Sequence, residues 1–232
     1  MITDNSWIYQ KIQDHLHASA AVKHAIAAAA DGGVFAASAA APAGPPATVA
    51  AIARAAEIIA HAFRNGGKLL LCGNGGSAAD CQHMAAEFTN ILDRSFERPP
   101  LPAISLATDT SFLTAFSNDA KRFAEIFSRQ VEAIGRRGDV LIGISTSGTS
   151  ENVIRALETA KRMSIATIAL TGRRGPLASV ADLVIAVPSE RTSHIQEAHL
   201  AVEHVICELV ECFLYPERRG VLPQTAADDR LV

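Results

Sequence analysis

No uninterrupted apolar run among the 232 residues approaches the ~20 needed to cross a bilayer, because the Ala-rich stretches are broken by Pro, Gly and charge. The first residues after Met1 contain no apolar h-region, so the expectation is a cytoplasmic protein with no membrane partner. Basic excess is absent too. Lys and Arg number 21 against 24 Asp and Glu, and a formal net charge of −3 excludes a broad nucleic-acid surface. Closely spaced cysteine pairs are missing: Cys72, Cys81, Cys207 and Cys212 form no C-x-x-C, and are expected as reduced thiols. The pattern G-x-x-x-x-G-K-[ST] is also missing, which excludes a nucleotide P-loop. What remains is ordinary globular composition, 49% hydrophobic and 19% charged, in a length that suits one α/β domain with a well-buried core.

Within it, Lys68 to Cys72 is an apolar run that reads as a buried parallel strand. Asn74-Gly75-Gly76 then gives a tight turn whose small residues leave backbone N–H groups open to a ligand. Ser77 and Asp80 have the spacing of a capping box, which predicts a helix beginning there. Strand, glycine turn and helix N-terminus together make an anion site, since orphan N–H groups and the helix dipole point the same way. His83 and Glu87 follow four residues apart, on one helical face, as a base or metal-binding pair behind the turn.

Elsewhere strands and helices alternate. Ser6 to Ala30 reads as a helix, with His15, His17 and His24 sharing no tight face and therefore solvated. Asp31 to Thr48, with Pro42, Pro45 and Pro46, reads as a linker. A helix over 49–65 is stopped by Gly66-Gly67. Strands are expected over 103–106, 139–145, 165–170 and 183–187. Helices are expected from 108–111, over 122–134, from the 145–150 loop to Met163, and over 192–214, with Asn118-Asp119 in a loop. The pattern predicts an α/β fold: a doubly wound, mostly parallel five-stranded sheet flanked by helices, flavodoxin-like, with an extra N-terminal helix. Residues 1–48 are the N-terminal helix and Ala/Pro-rich linker, 49–214 the main domain and 215–232 an exposed tail. Ligands on such sheets bind at the strand carboxyl ends.

A second small-residue loop, Ser145-Thr146-Ser147-Gly148-Thr149-Ser150, falls at such an end. Its hydroxyls and N–H groups can surround a phosphate. A plain N-cap turn needs one hydroxyl, whereas Ser145, Thr146, Ser147 and Ser150 supply four. The last helix carries Gln196, His199, Glu203 and His204. On residue type alone His204 reads as a satisfied core histidine. Gln196 lies ~12 Å from His204 in helical rise, and by helical phase Glu203 faces Gln196 better.

These motifs, in this order over about 49–214, resemble the phosphoheptose isomerase family of SIS (sugar isomerase) domain proteins. They are Gly-Asn-Gly-Gly-Ser-Ala-Ala-Asp-x-Gln-His-x-Ala-Ala-Glu at 73–87, Ser-Asn-Asp at 117–119 and Phe-Ser-Arg-Gln-Val-Glu-Ala at 127–133. Gly-Asp-Val-Leu-Ile-Gly-Ile-Ser-Thr-Ser-Gly at 138–148 and Ile-Gln-Glu-x-His at 195–199 complete the set. The resemblance implies a SIS-type fold in a cytoplasmic homotetramer with sites at subunit interfaces. It implies isomerisation of sedoheptulose 7-phosphate to D-glycero-D-manno-heptose 7-phosphate, the start of heptose synthesis for surface lipopolysaccharide. Asn74, Gly75, Gly76 and Ser77 match the first substrate loop, Asn118 and Asp119 a second contact, and Ser145, Thr146, Ser147 and Ser150 the phosphate loop. Gln196 matches a sugar or metal contact. Glu87, itself a substrate contact, and His204 match the proton-transfer pair. His83, Glu87, Gln196 and His204 match the set that binds zinc, one ion per subunit. Moving a carbonyl between neighbouring carbons needs a base, an acid and something to stabilise the enediolate, and these residue types supply all three.

The chain departs from the family pattern at a few places. Ile91 stands where the family has a basic residue four positions after the glutamate, and Arg94 is the candidate to replace it. Ser193-His194 precedes Ile-Gln-Glu where Arg is usual, and Thr149 replaces an Asn. Three other readings stay open here: an isomerase for another sugar phosphate, a sugar-phosphate sensor, and a non-catalytic regulator that binds the replication initiator. The regulator lacks the residues matching Glu87 and His204, and this chain has both.

Overall fold

The structure is a computed structural model that describes residues 6–28, 47–173 and 175–220. Residues 29–46, nearly all of the expected linker, and 221–232, most of the expected tail, lie outside the described residues. In chain order the helices and strands are α1 (Ser6–Ala28), α2 (Ala47–Arg64), β1 (Leu69–Gly73), α3 (Gly76–Thr89), β2 (Ala103–Ser105), α4 (Thr110–Asp119) and α5 (Ile126–Ile134). There follow β3 (Val140–Ser145), α6 (Glu151–Arg162), β4 (Ala166–Thr171), α7 (Leu177–Val180), β5 (Leu183–Ala186) and α8 (Thr192–Leu214). Short 3₁₀ turns at Phe123–Glu125 and Pro216–Gly220 join or end them.

The sheet has five strands in the order β2-β1-β3-β4-β5, and every pairing is parallel. Parallel strands buried on both faces read as continuous apolar runs, and successive side chains go to opposite faces. Leu69, Leu71, Ile142, Ile144, Ile168 and Leu170 pack on one side, against α2, α3 and α8. Leu70, Cys72, Leu141 and Ala169 pack on the other, against α5 and α6. Chain order reverses between β1 and β3, so the crevice at their carboxyl ends is the place for a ligand. The loops after those two strands are Asn74-Gly75 and 146–150.

Three local expectations are corrected. The 76–89 helix begins at Gly76, capped by Gly75 at φ 56°, and no side chain caps it. Ser77 and Asp80 are buried inside its first turns instead of forming a capping box, because the glycine turn has already brought the chain into helical register. Asn118 and Asp119 are the last two residues of α4, not a loop: Asp109 caps that helix by accepting from the Phe112 N–H at 2.9 Å, and the Ala120 N–H still reaches Phe116 O. His15 is not simply solvated. It bonds Glu197 at 3.0 Å, while Ser19 on the same helix bonds the other Glu197 oxygen. This polar latch ties α1 to the first turns of α8.

Candidate functional site

The site is built on α3 and α8, which lie side by side and run the same way. Gln196 of α8 meets Gly76 and Asp80 of α3, His204 meets His83, and Glu211 bonds Arg98, which folds over the end of α3. This settles the phase question raised by the last helix. His204 turns to His83 on α3, and Glu203 comes near Asp80 one turn earlier on the same helix. Glu203 lies fully buried, and neither of its oxygens has a hydrogen-bond partner among the described residues. Burial, with the Asp80 carboxyl nearby, pushes Glu203 up to about 8.

At the centre, His83 Nε2 and His204 Nε2 approach to 2.7 Å with the rings edge to face, and Glu87 Oε1 lies 3.5 Å from His83 Nε2. Ligand atoms of the three residues all fall within 4.8 Å of one another. Two ring nitrogens this close require one to donate and the other to accept, or both lone pairs to serve a cation. Two imidazoles and a carboxylate, on rigid helices, are a donor set that fits zinc. Gln196 sits about two turns before His204 on α8, beside Asp80 at 3.4 Å. Burial raises the Asp80 carboxyl, while its bond from Gln196 and the nearby His83 pull it down.

The hydroxyl loop is already organised. Ser145 Oγ lies 2.9 Å from Ser150 Oγ and accepts from the Gly148 N–H at 3.1 Å. Ser147 Oγ lies 2.9 Å from Thr149 Oγ1 and accepts the Thr149 N–H at 3.2 Å. Beside it is an open hollow of about 240 Å³ lined by Thr146, Ser147, Arg173, Ser189, Glu190 and Ile195. The two loops are joined across the switch point. The Asn74 and Asn152 side-chain amides each donate to the other's oxygen at 2.9 Å. Asn118 and Asp119 are exposed and bond each other at 2.8 Å.

Sequence reasoning missed three contributors. Arg173 lines the hollow beside the hydroxyl loop. The signal was a basic pair following a strand in a fold whose ligands bind at strand carboxyl ends. Asn152 is the buried partner of Asn74. Arg98 folds back over the end of α3, donating to the Glu87 carbonyl at 2.7 Å and the Phe88 carbonyl at 3.0 Å, while its Nε donates to Glu211 at 2.7 Å. Arg94, the expected substitute for a missing basic residue, is exposed.

The comparisons agree with the fold. A sequence model of the SIS domain matches residues 46–172, more than half of the chain. The phosphoheptose isomerase of Roseiflexus sp. (strain RS-1) is 55% identical over 163 residues, 70% of this chain and 81% of the relative. That of Thermodesulfovibrio yellowstonii is 52% identical over 168 residues, 72% of this chain and 82% of the relative. The solved phosphoheptose isomerase GmhA from Neisseria gonorrhoeae superposes with a TM-score of 0.74 at 39% identity, over 88% of this chain and 98% of that one. With fold, motif order and relatives in agreement, the chain belongs to the phosphoheptose isomerase family of SIS-domain proteins.

Proposed function

We propose that this protein is an aldose–ketose isomerase that converts sedoheptulose 7-phosphate to D-glycero-D-manno-heptose 7-phosphate, the first step of heptose synthesis for lipopolysaccharide, in the cytoplasm. One observation carries the reading: Glu87 and His204, from different helices, converge on His83, while a separate loop of phosphate-ready hydroxyls follows β3. The 49–214 segment is the catalytic domain.

The phosphate is held by Ser145, Thr146, Ser147 and Ser150 with the Gly148 and Thr149 N–H groups, and Arg173 adds charge. Asn74, Gly75, Gly76 and Ser77 position the sugar, with Asn118 and Asp119 as further contacts. Glu87 takes the proton from the carbon beside the carbonyl, and His204 exchanges protons with the neighbouring oxygens, so that the hydrogen returns at the adjacent carbon. His83, Glu87 and His204, with Gln196 as fourth partner, are the residues that would hold zinc. When bound, the ion supplies Lewis-acid stabilisation of negative charge on the substrate oxygens.

Oligomer formation fits the exposed face of α1. Trp7, Tyr9, Ile12 and Leu16 are 64%, 69%, 53% and 61% exposed, an apolar density suited to burial against other copies in a homotetramer. In that arrangement the sites lie at subunit interfaces. Incubating the purified, zinc-replete protein with sedoheptulose 7-phosphate tests the activity. Turnover that E87Q and H204Q each lower by ~10²–10⁴-fold is expected. Binding of the sugar phosphate without turnover would sink the proposal.

A further inference from the structure

Gln196 is held from two sides. The amide lies so close over Gly76 that a Cβ there would fall 1.8 Å from Nε2 and 2.6 Å from both Cδ and Oε1. A Cβ at 76 would push this flexible amide aside, so Gly76 is the floor on which it rests here. The second hold is chemical. Nε2 donates to Asp80 Oδ2 at 3.4 Å, and Asp80 is 8% exposed on the same stripe of α3 as His83 and Glu87. A terminal amide has an acceptor end and a donor end of nearly the same shape, and only its hydrogen-bond partners decide which way it faces. A carboxylate accepts and does not donate, so Asp80 claims Nε2. Among the described residues Oε1 makes no hydrogen bond, which leaves the acceptor end for a ligand.

We propose that Asp80 is a positioning residue: by holding Nε2 it fixes the Gln196 amide with its oxygen available to the zinc and sugar site. Asp80 itself touches neither. This inference rests on the reading of Gln196 as a member of that site. Gly76 supplies the space and Asp80 the polarity, and together they leave the amide one orientation.

The test is the sign of one substitution in three backgrounds. D80N nearly preserves shape but presents both a donor and an acceptor, so the amide can turn over. In the native background D80N is expected to lower kcat/KM and zinc affinity by ~10–100-fold, the usual cost of losing a partner that orients a ligand. In the Q196A background D80N is expected to change neither by more than ~2-fold, because the group it acts through is gone. Q196E sets one carboxylate against another, and there D80N is expected to raise both quantities by relieving the repulsion. D80S, which removes the carboxylate acceptor in a smaller side chain, should follow D80N. Melting temperatures report that each variant folds.

Zinc affinity is read by competition with a chromophoric chelator and needs no turnover, so the two readings separate. If the unsubstituted protein does not turn over sedoheptulose 7-phosphate but the zinc pattern reverses sign as described, the isomerase reading falls and the role of Asp80 stands. If turnover is present and D80N lowers both quantities by the same factor in all three backgrounds, Asp80 is merely structural and the inference is overturned. Neither turnover nor zinc binding by the unsubstituted protein overturns it as well.

Discussion

Arg173 lines the hollow beside Thr146 and Ser147, where the hydroxyl loop already bonds to itself. One charge-assisted contact to a phosphate is worth ~1.5–3 kcal/mol. R173A is therefore expected to raise KM for the sugar phosphate by ~10-fold or more with kcat nearly unchanged, because the phosphate is remote from the reacting carbons. Steady-state kinetics check it, and an equal loss in kcat would place Arg173 nearer the chemistry. At this scale the sequence shows what is local. His83 and Glu87 are legible from their spacing, as are the four hydroxyls after β3. Asn152, Arg98 and Asp80 are not, because each takes its meaning from a partner 78, 113 or 116 positions away. Ser77 misled for the converse reason. The capping-box pattern was present, but the glycines had already started the helix.

At the scale of elements, the site depends on α3 and α8 keeping their alignment, and the Arg98–Glu211 pair fixes one end of it. Both side chains are 1% exposed, and Arg218 adds a second cation 2.9 Å from Glu211. Removing the anion of a buried pair leaves the Arg98 guanidinium with carbonyl partners only, so E211A is expected to cost ~3–5 kcal/mol in urea unfolding. R98A should lose less than E211A, because Arg218 still faces the Glu211 carboxylate. His199 fixes α8 to the sheet, with Nε2 3.3 Å from the Thr171 carbonyl on β4. Burial lowers its ring from 6.5 to about 4. The unfolded chain thus binds a proton between pH 6.5 and about 4 that the native state does not. His199 costs nothing above that window, and stability falls by up to ~3 kcal/mol as pH drops through it. H199Q should flatten this part of the curve. Strand positions were plain in advance because all five are apolar runs. The pairing of α3 with α8 was not, since helical phase along one helix does not say which neighbour it meets.

Over the whole molecule, Trp7, Tyr9, Ile12 and Leu16 in the first half of α1 stay exposed, while His15 and Ser19 are spent on Glu197 of α8 and Val22 and Ile26 pack into the core. In that first half a lone surface helix would present the reverse arrangement. L16E is expected to shift the protein towards smaller species in sedimentation velocity, with activity falling in step as subunits separate. An L16E variant that is as large and as active as the native protein would count against sites at interfaces. Residue order alone predicted an N-terminal helix but not its orientation. The α1 pattern is weakly amphipathic, and its buried side is set by the bonds to Glu197 together with Val22 and Ile26 in the core.

The paired amides of Asn74 and Asn152 have a further consequence, for chemical ageing. Asn74 is followed by Gly75, and an Asn-Gly step is prone to lose ammonia when the glycine nitrogen attacks the side-chain carbonyl carbon; asparagine is among the thermolabile residues for this reason. The attack requires the Asn74 side chain to swing onto its own backbone. Asn152 holds it by both donor and acceptor, which obstructs the swing. In N152A the restraint is gone, and mass spectrometry after prolonged mildly alkaline incubation should show position 74 converting to aspartate faster than in the native protein. The damage would be self-sealing even in the native chain. A carboxylate at 74 still accepts from the Asn152 amide but has nothing to give back to its oxygen, so the bridge between the two loops is halved and cannot re-form.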